Sequence, residues 1–295
     1  MLLPVAVEKF KGELLSLTSP VRVLNHQLSS KPVRVRTKGV NNWFLSPKPN
    51  PTARLRLFCF PYAGGGAQAF GRWVKHLPSD VEVCLAQPPG RGARMREAPY
   101  TKLLPLVEAA ARALAPLTDK PFALFGHSMG ALVAFELARL LERERSRGPV
   151  QLFASGCRAP QTPSTDRQTF DWPEAEFVED LRRLNGTPQE VLESAELMHL
   201  LMPLLRADFE VVQTYRYAAG PPLKCPITLF AGEQDTEVRR EHLDGWREQT
   251  TDAVTFRLFP GDHFFIHSSE PLVLRALRQG LEQLLKTLNG ATSQC

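Results

Sequence analysis

The sequence predicts a mainly parallel, doubly wound α/β sheet, and three observations carry that expectation. From residue 53 onward, short apolar runs alternate with longer stretches of helical periodicity, the order that strand–helix–strand units produce. Several of the short runs are apolar on successive residues, as strands covered on both faces must be. One strand-like run also passes into a long apolar helix-like one through a lone serine with glycines two residues away on each side, in LFGHSMGALVAFELARLL (124–141).

Taken in order, the strand candidates are LRLFCF (55–60), VEVCLA (81–86), FALF (122–125), VQLFA (150–154), ITLFA (227–231) and VTFRLF (254–259). Helical stretches fall between and after them, around 68–77, 102–117, 129–145, 239–249 and 271–287. The alternation breaks once. More than seventy residues separate VQLFA from ITLFA, and 173–217 reads as helix throughout, with Phe177, Leu181 and Leu184 at helical spacing and an apolar stripe through Leu200, Leu201, Leu204 and Leu205 kinked near Pro203. That is too long for a simple crossover, so a helical lid inserted at about 160–218, over the top of the sheet, is expected.

The chain has 295 residues, 43% of them hydrophobic and 23% charged, which suits one large globular domain with a core of its own. Its net charge of +5 is not spread evenly. Residues 1–50 hold eight Lys/Arg against Glu8 and Glu13, a net of +6, so the rest carries −1. The basic balance therefore gives no support to a nucleic-acid surface on the folded part. Residues 1–52, rich in Pro, Ser and basic side chains, read as a flexible extension preceding a domain at 53–290. An idle arm and an organelle transit peptide both fit that composition. Five scattered cysteines without CxxC spacing argue against a disulfide scaffold or a zinc site, and for a reducing, cytoplasmic setting. No apolar run approaches the ~20 residues of a bilayer span. A monomer with no metal, redox cofactor or membrane attachment is expected.

Gly126-His127-Ser128-Met129-Gly130 fits G-x-S-x-G after a strand and before a helix, the context in which a strained turn lifts a serine hydroxyl above the sheet edge. A serine needs a base, and the base needs a carboxylate. In an α/β-hydrolase fold these follow in the order Ser, acid, His, each on a loop after a strand. Asp235 in AGEQD and His263 in PGDHFF fill those places. Glu233 and Glu237 stand as alternative acids. Asp262 adjoins His263, but adjacent side chains diverge. His127 should point away from the serine, and His76, His199, His242 and His267 sit in helical contexts. The oxyanion donors would be the N–H of Met129, just after the serine, and of Ala63 in the glycine-rich loop FPYAGGGAQAF (60–70). That loop has neither Walker nor GxGxxG spacing, so a phosphate loop is not indicated.

LFCFPYAGGG, AQPPGRGAR, FGHSMGALVAFELAR, LNGTPQEVL, LLRADFEVVQTYRY, LFAGEQD and FPGDHFFI, taken together over about residues 43–287, resemble the type II thioesterases, free-standing editing enzymes of nonribosomal peptide and polyketide synthases. The resemblance implies an α/β-hydrolase with Ser128 as nucleophile, His263 as base, Asp235 as its orienter, and Ala63 and Met129 at the oxyanion. The lid would close a chamber for an acyl chain on a phosphopantetheine arm, with Tyr62, Gly64, Phe264, Leu201 and Leu204 contacting it. The implied partners are acyl or peptidyl carrier proteins, and no cofactor is implied. The sequence departs from the family in reading GDHFF where GGHFF is commoner, and in its N-terminal forty residues. Chain-releasing thioesterases, small-molecule serine carboxylesterases and a non-catalytic hydrolase-fold receptor are the rival readings; a complete candidate triad argues against the last.

Overall fold

The computed structural model describes residues 42–144, 147–162 and 167–292. The expected basic arm, up to residue 41, lies outside them. Seven strands form one sheet in the order β1-β3-β2-β4-β5-β6-β7. They are β1 Phe44–Leu45, β2 Leu55–Phe60, β3 Val81–Ala86, β4 Phe122–His127, β5 Gln151–Ser155, β6 Ile227–Gly232 and β7 Val254–Phe259. β1 pairs antiparallel with β3, and the remaining neighbours are parallel.

The unbroken apolar runs are strands buried on both sides. In β2, Phe58 and Phe60 face one core, shared with Leu132 and Phe135; Leu57 and Cys59 face the other, shared with Phe70, Trp73 and Leu277. Period-two alternation feeds both cores from a single strand. Helices α1 Leu103–Leu114 and α2 Met129–Arg143 cover the first face. On the second lies a long C-terminal helix, Glu270–Thr292 (α7 below), whose Val273, Leu277, Leu281 and Leu285 recur every fourth residue as one stripe. β7 is a sheet edge, and its Leu258 is accordingly 47% exposed. Among the described residues no helix is long and apolar enough to cross a membrane.

Three expectations change. The stretch expected to be extension contains β1, where Phe44 is buried edge-to-face against Phe58 and Phe60 at 5.0 and 5.9 Å. Two residues are too few to show a period. The segments at 68–77 and 239–249 are 3₁₀ turns rather than α-helices; Gly71 lies between the two turns of the first and Gly245 inside the second, and glycine is a poor helix former. The lid is three helices, α3 Glu174–Leu184, α4 Gln189–Leu192 and α5 Ala195–Gln213, instead of one continuous run. Asn185 closes α3 in the left-handed region at φ +57°, as a C-terminal cap does. Pro188 precedes α4, and the Ser194 hydroxyl caps α5 by accepting from Leu197 N–H. Helix α5 runs on through Pro203. The lid has a core of its own, built on Phe177, Leu181, Val191, Met198, Met202 and Leu205. A short helix, α6 Phe265–Ser268, precedes α7 Glu270–Thr292.

Candidate active site

Ser128 occupies the turn between β4 and α2 with φ 52° and ψ −117°, a conformation that costs a non-glycine residue about 1–3 kcal/mol. The glycines on either side show why the turn is so tight. A Cβ on Gly126 would sit 2.0 Å from Gly130 O, and one on Gly130 would sit 2.1 Å from Phe60 O. Backbone fills both places. The Ser128 N–H donates to Ser155 O at 2.8 Å, tying the turn to β5, and the hydroxyl-bearing residue caps a 15-residue helix at its positive end.

Asp235 follows β6 and His263 follows β7. The Asp235 carboxylate is fully buried: Oδ1 accepts from the N–H groups of Glu237 and Val238 at 2.9 Å each, and Oδ2 lies 2.8 Å from His263 Nδ1. With Oδ2 accepting, His263 Nδ1 carries the proton of this bond and Nε2 is left to act as the base. The two loops meet because Gly232 has no side chain; a Cβ there would fall 2.4 Å from Asp262 O. The alternative acids are occupied elsewhere. Glu237 pairs with Arg183 at 2.9 Å, Glu233 is exposed, and Asp262 binds the Asn185 amide and caps Phe264 N–H.

Ser128, Met129, His263, Tyr62, Ala63 and Phe264 line one cavity of about 1510 Å³. Among the described residues, no acceptor engages the N–H of Ala63 or of Met129. An aromatic floor underlies the site, with Tyr62 edge-on to Phe264 at 5.1 Å and its hydroxyl 2.9 Å from His267 Nε2. Burial pushes the Tyr62 phenol up to about 12, so it stays protonated.

The expected substrate contacts divide. Tyr62 and Phe264 line the cavity, whereas Gly64, Leu201 and Leu204 do not. Gly64 lies under Leu205 and donates to Asp208 Oδ2 at 2.7 Å. Leu204 packs over Gly90, and Leu201 joins the core inside the lid. The helix presents Leu205, Phe209 and Val212 to the cavity instead. Leu205 of the expected stripe faces the cavity, whereas Leu201 and Leu204, the two taken from it as contacts, do not, since a period shows that a face exists without showing what it meets. One functional candidate was missed altogether, the buried ion pair Arg91–Asp208, and His127, expected only to point away from the serine, has a fully buried imidazole beside that of His263. A charge inside the apolar stripe of LLRADFEVV was the available signal for the ion pair.

The Thioesterase domain family model matches residues 55–281. The chain is 48% identical over 231 residues to the gramicidin S biosynthesis protein GrsT of Aneurinibacillus migulanus, covering 78% of this chain and 90% of that protein. Among solved structures, it resembles the type II thioesterase BorB from the borrelidin biosynthetic cluster (TM-score 0.74, 34% identity, 80% of this chain and 96% of the other). It also resembles RedJ, a thioesterase from the prodiginine biosynthetic pathway in Streptomyces coelicolor (TM-score 0.73, 38% identity, 81% and 98%). With the matched span covering most of the chain, and a serine turn, an acid–histidine pair and a lid in the expected order, this chain belongs to the thioesterase family of the α/β-hydrolase fold.

Proposed function

We propose that the chain hydrolyses acyl thioesters on the phosphopantetheine arm of acyl or peptidyl carrier proteins, clearing carriers that hold the wrong acyl group. The observation that carries this is the pairing of a fully buried Asp235 carboxylate with His263 at 2.8 Å in the cavity that Ser128 lines. His263 Nε2 takes the Ser128 hydroxyl proton as Oγ attacks the thioester carbonyl. The oxyanion forms against the Ala63 and Met129 N–H groups. When it collapses, the C–S bond breaks and the pantetheine sulfur takes the proton from His263. Water then attacks the acyl-serine by the same base, releasing the acid and restoring the serine. A thiolate is a good leaving group, so one histidine and two backbone donors suffice.

A panel of acyl groups, from acetyl and aminoacyl to a full-length peptidyl product, loaded on a phosphopantetheinylated carrier and run beside matching oxygen esters, tests the reading. Release of short acyl groups from the carrier in preference to full-length product is the expected result. Preference for oxygen esters would make the chain a carboxylesterase, and preference for the full-length product would make it a chain-releasing enzyme.

A further inference from the structure

Arg91 and Asp208 form an ion pair whose side chains are 4% and 2% exposed. The pair is bidentate, with Arg91 Nη2 donating to Asp208 Oδ1 at 2.8 Å and Nη1 to Oδ2 at 3.0 Å. Each partner also makes one bond to the glycine-rich loop. Asp208 Oδ2 accepts from Gly64 N–H at 2.7 Å, and Arg91 Nη1 donates to Gly65 O at 2.9 Å. Arg91 comes from the loop after β3, where Gln87 Nε2 holds its carbonyl at 2.8 Å, and Asp208 comes from lid helix α5. Three segments far apart in sequence meet at one buried charge pair.

The turn they hold is the one that aims Ala63. Tyr62 O accepts from Gly65 N–H at 2.9 Å, and Gly64, at the third position, has φ +76°, where a type II turn requires a left-handed residue. Tyr62 C=O and Ala63 N–H belong to one trans peptide and point in opposite directions. Drawing the carbonyl into the turn therefore turns the Ala63 N–H out toward the cavity. Asp208 and Arg91 fix the two residues that close this turn, and Leu205, one turn earlier on α5, covers Gly64 so closely that a Cβ there would meet its Cδ2 at 2.7 Å.

We propose that Arg91 and Asp208 are positioning residues that lock the oxyanion-donor turn to lid helix α5, so that the Ala63 N–H is aimed only while the lid helix is seated. The inference rests on the acyl-serine mechanism above. A buried ion pair replaced by apolar side chains of similar volume commonly leaves stability intact, so packing alone does not call for two charges here. Two fully satisfied charges that each spend a bond on the same turn fit an aiming role.

The test separates aim from binding. A trifluoromethyl ketone analogue of acetyl-pantetheine accepts Ser128 Oγ at its carbonyl carbon, passes the hydroxyl proton to His263 and leaves an oxyanion facing the donors; the matching thioether has no carbonyl. Affinities for both are measured on the wild type, on Asp208→Asn and on the double variant Arg91→Met/Asp208→Leu, which removes both charges together. Ketone affinity should fall about 10–100-fold in the variants, the range for a misplaced oxyanion donor, with thioether affinity changed less than about threefold. On acyl-carrier substrate kcat should fall while KM holds. Folded variants that keep the wild-type ketone-to-thioether ratio, or loss of folding in both, would return the pair to a purely structural role. Wild-type protein that hydrolyses no acyl-pantetheine carrier would instead overturn the mechanism on which the inference rests.

Discussion

The imidazole of His127 lies against that of His263, with ring centroids 5.2 Å apart and planes tilted by 45°. His127 is fully buried among Tyr62, Phe264 and Phe265, with Nδ1 2.9 Å from Ser155 Oγ, and among the described residues its Nε2 has no partner. Burial, reinforced by the neighbouring His263 and His267, pushes its pKa well below the ordinary 6.5.

The folded state keeps His127 neutral where the unfolded chain would protonate it, so its contribution is fully present above about pH 6.5 and is lost as pH falls toward the folded value. His267, which burial also lowers, acts in the same direction. Melting temperature measured from about pH 7.5 down to about pH 5 should fall more steeply for the wild type than for His127→Gln. Parallel curves would show that His127 does not set the acid limb.

The proposed triad predicts a ranking. Ser128→Ala and His263→Ala should each lower kcat by about 10³-fold or more, and Asp235→Asn by a comparable factor, because the amide favours the wrong imidazole tautomer. Asp262→Asn should cost less than about tenfold, since its bonds are to Asn185 and Phe264 N–H. Kinetics on folded variants would expose a wrong acid assignment if the Asp262 change proved the more damaging.

Gly130→Ala should fail for a reason unrelated to chemistry. The new methyl would press on the Phe60 carbonyl, backbone that cannot yield, and a loss of about 3 kcal/mol or more in chemical unfolding is expected. Gly71→Ala is the control, because its nearest atom is 3.6 Å away, and it should be nearly neutral.

Lid helix α3 reaches the catalytic loops through two exposed contacts, Arg183 to Glu237 at 2.9 Å and the Asn185 amide to Asp262 at 3.0 Å. Exposed pairs are worth about 0–1 kcal/mol. Arg183→Ala with Asn185→Gly, which keeps the left-handed cap of α3, should therefore leave global stability nearly unchanged while amides in Glu174–Leu184 exchange faster. Unaltered exchange there would mean that the lid is held by its apolar packing alone.

The sheet was legible because its strands are short, mostly apolar runs: LRLFCF, VEVCLA and VTFRLF were bounded to the residue, although each carries one charged side chain and the edge strand β7 is buried only at Phe259. The elbow was legible because glycines two residues either side of Ser128 answer to backbone contacts that leave no room for a methyl. What escaped was long-range. Nothing near Phe44 signals its pairing with Ala86, and nothing near Asp208 signals an arginine 117 residues away. Leu204 and Leu205 are interchangeable in a hydrophobic pattern, and only tertiary packing decides which one meets the cavity.

The separate core of the lid bears on how this enzyme can change. Phe177, Leu181, Val191, Met198 and Met202 pack with one another rather than into the cores on either side of the sheet. A wall of the chamber is thus folded largely around its own contacts, and Asp208 and Leu205 join it to the oxyanion loop at Gly64. An inward-facing position such as Phe209, packed against the lid's own core, can be exchanged with limited repercussion for the geometry of Ser128, Asp235 and His263. Acyl preference can therefore vary apart from hydrolytic competence while Asp208 keeps its place on α5, so a lid transplanted from a relative with its own small core and that aspartate should carry its chain-length choice along with it.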